Sequence, residues 1–320
     1  SVDINLAEGI FSPSSTEETF PIIMMSNVNL IGRGDAGDAE ETIIDAELSG
    51  QVIHFISCRN IVVANLTVTG GYYIDGRISY GGGGMEFRTS NDITITNVTL
   101  KNNIASRGGG AMLANSQVTF TNVDIRDNST TTPNYGDGGG IYAVSSSSMT
   151  GKNLTVSGNY AKRSGGGIRF NQLHEILPTE LINVTMYDNH ADEHGGGLSV
   201  RRGVPQITNN IIWENTSPEG GSIFLDQSYP TITHSDIEGG WEGTGNIDVD
   251  PLFISPGEGD FSLQEGSLCI NTGEYDVWNL DADGTTADMG ATGGSSILPN
   301  FTEYDFGEIG DISSTANFNL

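Results

Sequence analysis

Between residues 82 and 222 the chain repeats one short phrase. Each copy opens on a glycine cluster, at 82–84, 108–110, 138–140, 165–167 and 195–197, and as Gly220-Gly221-Ser222. A short alternating run follows, as in Ile141-Tyr142-Ala143, Ile168-Arg169-Phe170 and Leu198-Ser199-Val200. Farther on, an asparagine opens a second run, as in Asn97-Val98-Thr99-Leu100 and Asn183-Val184-Thr185-Met186. Another asparagine follows at 103, 128, 159, 189 and 215, with spacings of 25, 31, 30 and 26. Self-similarity at such a period marks a stacked architecture, in which one unit cannot bury its apolar side alone.

The local pattern selects the kind of stack. Each unit holds short runs with period-two alternation, rich in Val, Ile, Thr and Phe, and lacks a helical pattern. A unit therefore reads as one coil of short strands joined by tight corners. Glycine suits a corner that needs positive φ or close backbone approach. Stacked asparagines can bond to one another as amide ladders. The reading is an all-β, right-handed parallel β-helix, its hand taken from the crossover rule. Alternation sends Ile141, Ala143, Ile168, Phe170, Leu198 and Val200 inward, and Tyr142, Arg169 and Ser199 outward.

Charge excludes some partners. The chain carries 41 acidic against 13 basic residues, a net charge of −28. That argues against nucleic acid and anionic membranes, and against polyanionic polysaccharide unless divalent cations bridge the like charges. No apolar run is long enough to span a bilayer. Cys58 and Cys269 read first as small buried core residues and second as a disulfide.

Three stretches carry resemblances. Leu6-Ala7-Glu8-Gly9-Ile10-Phe11, Phe20-Pro21-Ile22, Leu30-Ile31-Gly32-Arg33-Gly34 and Thr42-Ile43-Ile44-Asp45-Ala46 resemble the first coils of pectin-lyase-like β-helix proteins. In relatives, an upstream strand and helix cap precede these coils. The Gly-Gly-x and Asn repeats resemble polymorphic outer-membrane proteins. Asp250-Pro251-Leu252-Phe253, Gly266-Ser267-Leu268-Cys269-Ile270-Asn271, Asp281-Ala282-Asp283-Gly284 and Asp288-Met289-Gly290-Ala291 resemble the closing segment of secreted bacterial β-helix proteins. An arginine that usually follows the Asp-Gly is replaced here by Thr285. Residues 301–310 and 316–320 resemble the first strands of an immunoglobulin-like module. The expected organisation is coils over 1–245, a closing segment over 246–294, and a β tail over 295–320. Insertions at 129–137 and 171–180 are expected to protrude as loops.

The pectin-lyase-like resemblance implies a family containing polysaccharide lyases and hydrolases. The Asn-Thr-Asp, Asp-Asp and Gly-His-Gly motifs of its galacturonan hydrolases are missing from the sequence. The best cluster for a lyase or epimerase is Arg169, Arg201, His190 and Tyr187, set against the plainer reading of a solvated polar face. Tyr142, Arg169 and Phe224 form a candidate glycan-binding face. Asp281, Asp283 and Asp288 offer alternating oxygen ligands around a turn glycine, which suits calcium, and suits equally an Asx-type turn capping the helix end. Among the Asn-x-Ser/Thr sequons, Asn65, Asn97, Asn153 and Asn183 are expected inward. Asn128, Asn215 and Asn300 are expected to be exposed glycosylation candidates.

The function expected is a non-catalytic structural or adhesive module of a bacterial surface protein, extracellular or at the cell surface. It would contact copies of itself, neighbouring domains or polysaccharide, and head-to-tail stacking into filaments is a sharper form. The alternative is a lyase or epimerase on uronic-acid polymers, or a glycan-binding module.

Overall fold

The computed structural model describes residues 1–33, 39, 41–74, 81–174, 176–276, 279–281 and 283–294. The expected β tail and the sequon Asn300 lie outside the described residues.

The chain is nearly all β and winds as a right-handed parallel solenoid of about seven turns. Each full turn contributes to three parallel sheets. The first carries the long strands, running through Arg59–Thr69, Asn91–Lys101, Gln117–Arg126, Ser148–Ser157 and Glu180–Tyr187. The second carries the four-residue strands that follow the glycine clusters, among them Met85–Arg88, Ala111–Ala114, Ile141–Val144, Ile168–Asn171 and Leu198–Arg201. The third is a narrow sheet of two-residue strands, including Ser129–Thr130, Tyr160–Ala161 and His190–Ala191.

The glycine clusters stack in a column, as expected. Gly109 N donates to Gly138 O (3.1 Å), Gly139 N to Gly165 O (3.0 Å), and Gly166 N to Gly195 O (3.2 Å). Gly108, Gly138, Gly165 and Gly195 all have positive φ.

Inside the coil the register puts like over like. Phe55 and Phe87 stack with centroids 4.4 Å apart, and Phe120 meets Phe87 edge-on. Ile141, Ile168, Leu198, Phe170 and Val200 join one continuous core. Each such aliphatic or aromatic side chain contributes about 1.5–3 kcal/mol by leaving water.

Two asparagine ladders hold the corners. Asn103, Asn128, Asn159, Asn189 and Asn215 point inward and are buried. The residue before each of them, Asn102, Asp127, Gly158, Asp188 or Glu214, has positive φ. That left-handed residue turns the chain and aims the following amide into the coil. The expectation that Asn128 and Asn215 are exposed sequons is therefore corrected: they are 0% and 4% exposed, as rungs of the inner ladder. In the second ladder Asn97 Nδ2 donates to Asn65 Oδ1, Asn122 to Asn97, and Asn153 to Asn122, each at 3.1 Å. These asparagines also have positive φ and bend the long strands. Asn65 and Asn97 are half-buried rather than inward, while Asn153 and Asn183 are buried.

A serine ladder serves another corner. Ser90 N donates to Ser116 Oγ (3.0 Å), and Ser116 N to Ser147 Oγ (3.2 Å). Cys58 N donates to Ser90 Oγ (3.1 Å), so Cys58 takes the place of one more small rung. Cys58 and Cys269 are both buried and free, which matches the first reading of the cysteines.

The closing segment lies along the side of the coils. Its antiparallel pair, Phe253–Ser255 and Asp260–Leu263, brings Phe253 and Phe261 into a second apolar cluster with Ile211, Cys269 and Met289. Tyr187 and Trp213, from the outer face of the long-strand sheet, pack against that cluster. Asn183 ends the second ladder by donating to Asp288 O (2.7 Å) and accepting from Asn279 Nδ2 (2.8 Å). The turn at Asp281 thus sits beside the coils, which corrects its placement at the helix end.

Candidate functional site

The four residues expected to do chemistry sit on three sheets. Arg169 and Arg201 belong to the sheet after the glycines, His190 to the narrow sheet, and Tyr187 to the long-strand sheet. Each is already engaged. Arg201 pairs with Asp226 on the next coil at 3.0 Å. His190 stacks on Tyr160 (5.7 Å between centroids), shares a hydrogen bond with Thr216 Oγ1 (2.8 Å), and lies 3.4 Å from Asp192. Tyr187 donates to Glu214 Oε2 at 2.5 Å, and burial raises its pKa.

The glycan face needs correcting too. Tyr142 and Arg169 do leave the central core, but they are only 2% and 5% exposed. Tyr142 joins Met112, Ala114 and Val144 in a small outer cluster. The Arg107 guanidinium spans the rings of Tyr142 and Tyr135, and Tyr135 comes from the 129–137 insertion. That insertion starts as a strand and folds back on the sheet. Arg169 Nη1 donates to Ser199 Oγ, and burial pulls the guanidinium pKa down. Phe224 is half-buried, with its ring 4.4 Å from that of His194.

The three aspartates all accept backbone N–H bonds within the closing segment. Asp281 accepts from the backbone of Asp288 (3.1 Å) and Gly294 (2.6 Å). Asp283 accepts from Thr285 N (3.0 Å), and Asp288 from Asn271 N (2.7 Å). Among the described residues no three His, Cys, Asp or Glu groups converge to hold a metal. The donor pattern is that of an Asx-type turn.

Two clefts flank the closing segment, and sequence reasoning missed both. One, of about 420 Å³, is lined by Asp124, Arg126, Asp188 and Tyr187 and by the Pro256–Gly259 turn. Its Arg126 is occupied by Asp124 at 2.7 Å. The other, of about 360 Å³, has Lys152, Glu180, Ile182 and Thr208 of the long-strand sheet on one side. Glu274, Asp276 and Asn279 form its far wall. Its volume falls in the range of small-molecule sites. Lys152 is half-buried, and burial lowers its pKa, with Asp276 opposing. Only the local signal of a lysine in a threonine-rich column was visible in sequence. The wall lies more than 100 residues along the chain.

The stacked sheets and inward ladders define a parallel β-helix protein. Residues 37–212 match the family described as right-handed β-helix region, and the chain belongs to that family. Among solved structures, the chain is similar to one described as the crystal structure of pectate lyase Pel9A. The similarity spans 90% of this chain and 87% of that one, at 14% identity and a TM-score of 0.47. No curated protein matches the chain. Among the described residues no helix is long and apolar enough to cross a membrane.

Proposed function

We propose that this chain is an extracellular, non-catalytic β-helix module of a bacterial surface protein, serving as a scaffold and adhesive face. One observation carries the reading: the charged side chains best placed for chemistry are tied between coils. Arg163 holds Asp137, Lys162 holds Asp192, and Arg201 holds Asp226, each across one coil step. His54 and Arg88 both reach the buried Glu86. Such pairs organise a face rather than leave a base or nucleophile free. Coil stacking also suits association with copies of the chain or with neighbouring domains. The test is incubation with neutral and uronic-acid polysaccharides, with and without calcium, reading unsaturated products and new reducing ends. Turnover of any of them overturns the reading.

A second reading, a lyase on uronic-acid polymers, is favoured by Lys152. A half-buried lysine with a lowered pKa is the form in which an amine acts as a base. The three carboxylates around it oppose a polyanion, so this reading requires bridging cations. Product formation that disappears in Lys152→Met would establish it.

A further inference from the structure

We infer that the last coils carry an apolar ridge that seats on the closing segment of a second copy of this chain. The inference rests on the scaffold reading and names the surface through which copies associate. Glu180, Gln206 and Thr231 stack in register at the start of the long-strand sheet. Gln206 N donates to Thr179 O (2.9 Å) and Thr231 N to Pro205 O (3.1 Å), so the register continues backwards into the corner. It stacks Pro178, Val204 and Tyr229 in one column, with Leu177 next to Pro178. Val204 and Tyr229 are 57% and 82% exposed, and Leu177 is exposed as well. Carried through the earlier coils, the same column holds Asp92, Gln117 and Ser148. Apolar side chains thus take over a polar column in three successive coils. A contiguous exposed patch of that kind marks an interaction site.

Charge selects the occupant. Two copies of a chain at −28 repel unless the contact includes its few cations. Arg202 supplies one at this ridge. It is exposed, reaches Gln227 Oε1 on the next coil (3.3 Å), and forms no ion pair among the described residues. Asp226, in the same corner, is already held by Arg201. The closing segment is the complement. Leu252 and Ile254 flank the inward Phe253 and are exposed, and Ser267 Oγ donates to Pro251 O (2.7 Å), which sets Leu268 near them. Asp250, Asp260 and Glu265 are exposed around this patch. Residues 203–320 contain no lysine or arginine. Phe253 packs on Tyr187, at the opposite end of its long strand from Glu180, so the ridge and the closing patch lie apart on one molecule. The contact is heterologous, and each pair of copies keeps one ridge and one closing patch free.

The test is sedimentation of the full chain over a concentration series at low and high salt. The mean mass is expected to rise with concentration and to fall with added salt. One double variant, Val204→Glu with Tyr229→Glu, disables the ridge. A second, Ile254→Glu with Leu268→Glu, disables the closing patch. Each alone is expected to associate about 30-fold more weakly or not at all, with thermal melting unchanged because all four side chains are exposed. Mixed together, the two are expected to form one-to-one pairs and nothing larger. Arg202→Glu, which leaves the apolar column intact, is expected to weaken association about 10-fold. A parent chain that stays monomeric at every concentration, a double variant that associates as the parent does, or a mixture without pairs overturns the assignment. Turnover of a polysaccharide would overturn the non-catalytic reading and leave this contact standing. A strictly monomeric parent without turnover would do the reverse.

Discussion

Asn159 Oδ1 accepts two hydrogen bonds from Asn128, one from its backbone N–H and one from its Nδ2, both at 3.0 Å. Asn128 Oδ1 receives the same pair from Asn103, and Asn128 Nδ2 also donates to Leu100 O. Asn128→Leu would strand donors of Asn103 and acceptors of Leu100 and Asn159 in the core. Each buried unsatisfied group costs about 1–3 kcal/mol, so a loss of about 3 kcal/mol or more is expected. The denaturation midpoint measures it. Asn122→Leu, in the half-buried ladder, should lose clearly less.

Gly139 separates steric need from mere tolerance. A methyl there would lie 2.6 Å from the Tyr160 carbonyl and against Gly166 O, both backbone. At Gly151 the nearest atoms are the movable side-chain ends of Leu154, Leu181 and Met149. Gly139→Ala is expected to cost about 3 kcal/mol, and Gly151→Ala less than half of that. Equal costs in parallel melts would contradict the column geometry.

Asp236 is buried against Cys269, and burial pushes its pKa up to about 6. Its unfolded value is near 3.9. The folded state therefore binds this proton more tightly, and the associated stability is full below about pH 4 and lost as pH rises through about 6. Asp236→Asn should retain the acceptor for Val249 N and flatten that part of the profile. A stability-against-pH comparison, expected to differ by up to about 3 kcal/mol across the window, checks the sign.

Arg169 carries a buried charge whose Nε has no hydrogen-bond partner. Arg169→Met keeps most of the volume and removes the desolvated cation. Stability is expected to be unchanged or higher by about 1–2 kcal/mol. Arg169→Ala should be lower, because the stem packs against its neighbours. A large loss in the methionine variant would show that the charge itself holds the face together.

The coil was legible because its constraints are local and recur. A glycine that must touch the backbone of the next coil admits no substitute, so 109, 139 and 166 announce themselves. The direction of Asn128 is not legible in the Asn-x-Thr pattern, because it depends on the positive φ of Asp127. The signal existed in the turn-forming residue before each inner asparagine. Alternation puts Tyr142 outside the central core, but it cannot show that Arg107 and Tyr135 cover the ring. The Lys152 cleft was illegible for a topological reason: Glu274, Asp276 and Asn279 come to line it from more than 100 residues farther along the chain.

The inner asparagine ladder also has a direction. Asn103 gives to Asn128, Asn128 to Asn159, Asn159 to Asn189, and Asn189 to Asn215, never the reverse. Tension along the axis would therefore meet a chain of identical links, each as strong as the next. Rupture should start at whichever extremity is loaded and advance in coil-sized steps, giving a sawtooth force trace in place of a single snap.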